Sequence, residues 1–337
     1  MKKRIMYLFF ALVAVLLVAC GQDKSSKDET KKDHDKLQVV TSFYPMYEFT
    51  KQVAGDRADV SVLVSGGASA HHYEPSAKDI AQLSEADLFV YSSDQMEFWA
   101  KKMLTSVENK KLEVVKATNK KDMLAETGHD HEGEHEEHEG HEHENDSGHH
   151  DHEHEHEGHD HGGVDPHNWL DPQAVSAQVD AIKTALIKAD PKGKDVYEKN
   201  AKAFQKELKA VDEAYESALK NAEARTFVVQ HQAFSYLAHR YHLEQVAASG
   251  INTEAEPSPQ ALAEINEIVK TTGVPVIYYQ SGSHSKIAET IAKETDTEIA
   301  VLYDLERAPQ DVDDTKKDMN YIDAMKFNLK QLQKSIK

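Results

Sequence analysis

LQVVTSFYPMYEFTKQVAGDRADVSVLV, residues 37–64, decides the architecture of this chain. Residues 37–41 are a β-rich run, 46–53 are a helical stretch, and 60–64 are β-rich again. Strands alternating with helices argue for a parallel sheet built from βαβ units. Working outward, 75–84 reads as a helix, 87–91 as a third strand, 97–106 as a helix and 112–116 as a fourth strand. The second half repeats the order. Strands fall at 226–229, 243–247, 274–279 and 298–302, with helices at 234–241, from Pro257, at 286–294 and at 321–336. Glu74-Pro75-Ser76 and Glu256-Pro257-Ser258 occur at matching points, each expected to open a helix with proline in its first turn.

Between the halves, Val196, Tyr197, Ala201, Phe204, Leu208, Val211, Tyr215 and Leu219 follow helical spacing over 195–222, after a shorter helix from Asp171-Pro172 to about Lys188. A stiff helix between lobes limits hinge motion, unlike a Gly/Ser linker. The expected fold is therefore α/β: two βα-repeat lobes with mostly parallel four-stranded sheets, joined by a long rigid helix. The boundaries expected are 37–190 for the first lobe, 191–223 for the linking helix and 224–337 for the second lobe.

The N-terminus reads as a targeting segment. Lys2, Lys3 and Arg4 precede fifteen apolar residues, 5–19, too few for a spanning helix but suited to a signal peptide. Leu17-Val18-Ala19-Cys20-Gly21 resembles a bacterial lipobox, which implies cleavage after residue 19, lipidation of Cys20 and anchorage to the outside of the cell membrane. Cys20 is the only cysteine, so the remaining chain has no disulfide and no thiolate metal ligand. Residues 20–36 then form a polar tether.

Residues 129–161 hold thirteen histidines and fourteen acids, with no Lys or Arg. The histidines are His129, His131, His135, His138, His141, His143, His149, His150, His152, His154, His156, His159 and His161. So polar a stretch cannot offset its ordering entropy by burial and is expected to be a solvated loop. Imidazole nitrogen and nearby carboxylates give it the chemistry of an auxiliary metal collector or sensor. Its acids also account for most of the formal charge, which falls from −20 to −6 without them. That balance is ordinary for a soluble protein and gives no footprint for nucleic acid.

Eight histidines lie outside the loop. His71, His167 and His231 fall where a strand or loop hands over to a helix, and Asp304 and Glu306 follow the last strand. Ligands of open α/β sheets bind beyond the carboxyl ends of strands, so a metal site between the lobes is expected there. His72, His239, His242 and His284 are weaker candidates, while Phe43, Tyr44 and Trp169 read as wall and packing.

These stretches resemble the zinc-binding lipoproteins of bacterial ABC importers, the cluster 9 (A-I) substrate-binding proteins. The resemblance rests on the segments 70–76, 165–172, 231–237, 254–259 and 303–306 and covers essentially everything from Leu37 onward. It implies two lobes joined by a rigid helix, with zinc held in the cleft by His71, His167, His231 and Glu306, and Asp304 as the rival oxygen ligand. Imidazole at 231 and the presence of the loop favour zinc over the manganese-binding members. Gln280 departs from the family's frequent Glu, and Asp304 from its frequent Pro. The function implied is capture of zinc and delivery to a membrane permease by a monomer. A surface adhesion or zinc-buffering role is the alternative. No His-Glu-x-x-His helix supports a zinc hydrolase. Affinity is expected to fall as histidines protonate near pH ~6–7.

Overall fold

In both halves a central strand recruits its neighbours in the same order. The computed structural model describes residues 36–65, 68–125, 163–249, 259–280, 286–309 and 319–337. The targeting segment, Cys20, the tether, the loop 129–161, Pro257 and His284 lie outside the described residues. Strand β1 (Leu37–Thr41) pairs with β2 (Ala58–Val62) and β3 (Leu88–Tyr91), and β3 pairs with β4 (Glu113–Lys116). Every one of these pairings is parallel, and the order is β2-β1-β3-β4. The second sheet uses β5 (Thr226–His231), β6 (Glu244–Ser249), β7 (Val276–Gln280) and β8 (Glu298–Leu302) in the equivalent order β6-β5-β7-β8, again parallel. The repeat read from the sequence is thus a repeat of topology.

All four residues of β3 are buried, as expected for a strand covered on both faces. The first sheet is flanked by α1 (Tyr44–Ala54), α2 (Ala77–Glu85) and α3 (Phe98–Thr105). Helix α4 (Pro172–Ala189) begins where the Asp171 side chain accepts a hydrogen bond from the Gln173 amide at 2.8 Å. Helix α5 (Lys194–Leu219) runs 26 residues, about 39 Å at the usual rise. The second sheet carries α6 (Ser235–Tyr241), α7 (Pro259–Thr272), α8 (Lys286–Thr295) and α9 (Tyr321–Leu332).

Two expectations need correcting. Pro75 stands outside α2, because Ser76 and Asp79 form a reciprocal capping box that starts the helix at Ala77. Val196 does not join the buried stripe of α5 and is 40% exposed, because it lies about 100° around the helix from Tyr197, which takes the inward position.

The two sheets share one hydrophobic core. Helix α5 packs on α1 and α4 of the first half and on α9 of the second. Phe49 of α1 meets Tyr321 of α9 edge-on at 5.1 Å, and Phe204 of α5 lies 5.9 Å from Phe49. The Tyr215 hydroxyl donates to the Met325 carbonyl at 2.7 Å, fixing α5 to α9. A smaller cluster around Val228, Ile265 and Ile291 fills the space between the second sheet and its outer helices.

Candidate metal centre

In each sheet the chain leaves the central strand in opposite directions, which opens a crevice at the carboxyl ends of the strands. His231 is the last residue of β5, Glu306 follows β8, and His71 follows β2. His167 arrives on the segment that leads into α4. All four side chains are buried, between 0 and 7% exposed. One ligand atom from each lies within 4.8 Å of the others.

The separations have a chemical meaning. His71 Nε2 is 3.3 Å from His167 Nε2 and 3.4 Å from Glu306 Oε1. Glu306 Oε1 is also 3.2 Å from His167 Nε2 and 3.0 Å from His231 Nε2. Ligands about 2.0 Å from a tetrahedral zinc ion stand roughly 3.3 Å apart, so these distances are edges of such a shell. Three nitrogens and one carboxylate oxygen suit a borderline divalent cation.

Hydrogen bonds behind the four hold them in place. Asp165 Oδ1 accepts from the His167 ring at Nδ1 and from its backbone amide, each at 2.8 Å, which turns Nε2 toward the cluster. The Trp99 indole donates to the Ala70 carbonyl at 3.2 Å, next to His71. Behind it, buried Glu97 accepts from the Ser42 hydroxyl at 2.6 Å and from the Ser92 and Ser93 amides at 2.8 Å, tying the ends of β1 and β3 together. Burial pushes the Glu97 carboxyl up to about 7 against those hydrogen bonds.

Electrostatics separate the histidines. Burial pushes His71 down to about 4, more than the nearby Glu306 carboxylate restores. Burial also opposes protonation of His167, but Asp165 and Glu306 together outweigh it and hold the ring up to about 10. Glu306 is buried too, yet the surrounding imidazoles keep it well below the usual carboxylate range. The two carboxylates flanking His167 therefore favour its protonated form in the metal-free cluster.

Of the two acids after β8, the structure brings Glu306 to the imidazoles. Asp304 turns the other way: its Oδ2 accepts from the Gln280 side-chain Nε2 at 2.5 Å and its Oδ1 from the Glu306 backbone amide at 3.3 Å. Burial and the adjacent Glu306 raise Asp304 to about 6. Between them Leu305 is buried with φ of 62°, a left-handed conformation unfavourable for leucine, and this turn separates the two carboxylates. His239 and His242 are exposed, and His72 is not part of the group. Sequence reading missed Asp165, Trp99, Tyr236 and the hydrogen-bonding role of Trp169. Only Asp165 had a local signal, standing two residues before a candidate ligand.

Two parallel sheets enclosing three imidazoles and a carboxylate define an α/β protein with a candidate metal site between its halves. A family model described as zinc-uptake complex component A, periplasmic, matches residues 39–335, and the chain belongs to that family. The zinc-binding lipoprotein AdcA of Streptococcus pneumoniae is 42% identical over 339 residues, covering 99% of this chain and 61% of the relative. The chain thus spans about three fifths of that protein's length. The high-affinity zinc uptake system protein ZnuA of Bacillus subtilis is 39% identical over 329 residues, covering 98% of this chain and 97% of the relative. Among solved structures, the Zn(II)-bound ZnuA-like domain of Streptococcus pneumoniae AdcA matches with a TM-score of 0.70 and 39% identity, over 89% of this chain and 98% of that one. The laminin-binding protein of Streptococcus agalactiae, described as a bifunctional protein with adhesin and metal transporting activity, matches with a TM-score of 0.72 and 36% identity, over 89% of this chain and all of that one.

Proposed function

We propose that this protein captures zinc outside the cytoplasm through His71, His167, His231 and Glu306 and hands it to the membrane permease of an ABC importer. The observation that carries this reading is the convergence of four buried side chains, spread from position 71 to 306, into one cluster whose ligand atoms lie within 4.8 Å of one another. Four protein ligands complete the shell and leave no open position for a reactive water, which favours a carrier over a hydrolase. Three nitrogen donors favour zinc over manganese, a harder ion better served by oxygen. The lobes 37–190 and 224–337, linked by 191–223, would each supply two ligands.

Lipidated Cys20 would anchor the protein, and residues 129–161 would collect or sense zinc with weaker affinity than the buried site. The described residues on either side of the loop meet close to His167 in the chain: Ala125 bridges Val164, and the Asp165 amide donates to the Leu124 carbonyl at 3.0 Å. Metal analysis with competition titration tests this division on the full chain and on a chain lacking 129–161. The shortened protein should retain one tight zinc, and losing that site on deletion of the loop would overturn the assignment. Growth of a strain lacking the protein should fail selectively under zinc limitation.

A further inference from the structure

The ligands of each half are braced by residues of the other. Trp169 belongs to the first half, yet its indole Nε1 donates at 2.7 Å to the backbone carbonyl of Asp304 in the second. That carbonyl opens the left-handed turn at Leu305 that delivers Glu306. The Trp169 ring is fully buried, packs edge-on against Phe43 at 5.0 Å, and lies 5.1 Å from the His167 ring. Its own carbonyl accepts from the Tyr321 hydroxyl at 2.7 Å, so the indole cannot drift from the turn it supports.

The reverse brace runs through Tyr236, on α6 just beyond His231. Its hydroxyl donates to the Asp165 carbonyl at 2.9 Å and accepts from the Leu124 amide at 2.8 Å. Asp165 is the group that turns His167. A residue of the second half therefore fixes the orienter of a first-half imidazole.

We infer that Trp169 and Tyr236 are positioning residues for zinc capture, reciprocal braces that set the relative placement of Glu306 and His167 across the cleft before metal arrives. This rests on the proposed zinc role of the four-residue cluster. Neither side chain contributes a ligand atom to that cluster. What each supplies is a fixed hydrogen-bonding partner, and supports of this kind typically change metal affinity about 10- to 100-fold.

Trp169→Phe and Tyr236→Phe remove one N–H and one O–H while keeping an aromatic ring. Zinc competition titration of the full chain should show each variant weakened about tenfold. Cobalt(II) serves as the spectroscopic probe, and its visible bands should change in intensity or position in both variants. A merely structural role would lower the melting temperature of the metal-free protein and leave the affinity and cobalt spectrum of the folded protein unchanged. Backgrounds lacking the braced ligand sharpen the test. Trp169→Phe should cost no further affinity in Glu306→Ala, nor Tyr236→Phe in His167→Ala. Wild-type affinity and spectrum in both single variants, or full additivity in both double variants, would overturn the inference. Failure of the wild type to bind zinc would instead overturn the proposed function, so the two failures are told apart.

Discussion

Lowering the pH from about 8 to about 6 should weaken zinc binding about a hundredfold through His167 alone. In the metal-free site this ring is held up to about 10, because Asp165 accepts at Nδ1 from one side and Glu306 at Nε2 from the other. Zinc needs the Nε2 lone pair, so an arriving ion has to displace that proton. Below the ring's pKa each pH unit costs a factor of ten, about 1.4 kcal/mol, and two units cost about 2.7 kcal/mol. His71 adds nothing over this range, since burial pushes it down to about 4 and it is already neutral. The result is a slope that starts above neutrality, not the step near pH ~6–7 that ordinary histidines would give. Chelator competition at several pH values, corrected for protonation of the chelator, measures the slope. Calorimetry in buffers of different ionisation heat should find about one proton released from His167 per zinc at pH ~8. A flat affinity across the window with no proton released at its alkaline end would refute the reasoning.

Glu306→Gln should weaken zinc by about a hundredfold, roughly 3 kcal/mol, because a buried ion would lose the one carboxylate that the described residues bring to the cluster; the same titration reads this. Leu305→Gly should destabilise the metal-free protein by about 2 kcal/mol in urea unfolding. Relief of the left-handed strain is worth about 1 kcal/mol, but emptying a site 1% exposed costs about 3. Arg240→Ala should lower stability by about 2 kcal/mol, since Arg240 grips Asp212 through two hydrogen bonds at 2.9 and 2.7 Å and would leave that carboxylate nearly buried and short of donors. In the metal-free protein the two perturbed histidines should act in opposite directions. The contribution of His167, with its pKa raised, is present below ~6.5 and lost as pH rises toward 10, whereas stability tied to neutral His71 is present above ~6.5 and lost as pH falls toward 4; unfolding at acid, neutral and alkaline pH checks the signs.

Most of the architecture was legible because it is written locally. Residues 298–302 are a strand in the sequence and in the structure, and 37–41 likewise, since β-rich runs between helices leave little choice. Helix α2 shows the limit: the Pro75 signal was read one step too literally, and the Ser76–Asp79 box decided where the turn begins. At the site, the three histidines stood at strand or loop ends, and the family resemblance singled out Glu306. What holds them was invisible for a physical reason. The Trp169 to Asp304 bond joins residues 135 positions apart, and the Tyr236 to Asp165 bond joins residues 71 apart. Neither donor differs in type from an ordinary packing aromatic. From residue type alone Asp304 and Glu306 are equivalent oxygen donors, and the left-handed backbone at Leu305 between them is announced by no side-chain pattern.

The aromatic contacts that join α1, α5 and α9 also bear on how cargo could be let go. Swinging the halves apart like a jaw would drag Phe49, Phe204 and Tyr321 into water together, at a cost of several kcal/mol before any ligand had moved. Displacing only the short segments that carry His71 and Glu306 would leave those rings untouched. Under the proposed delivery of zinc, a receptor that unloads the protein has reason to tug at its rim and leave its spine alone.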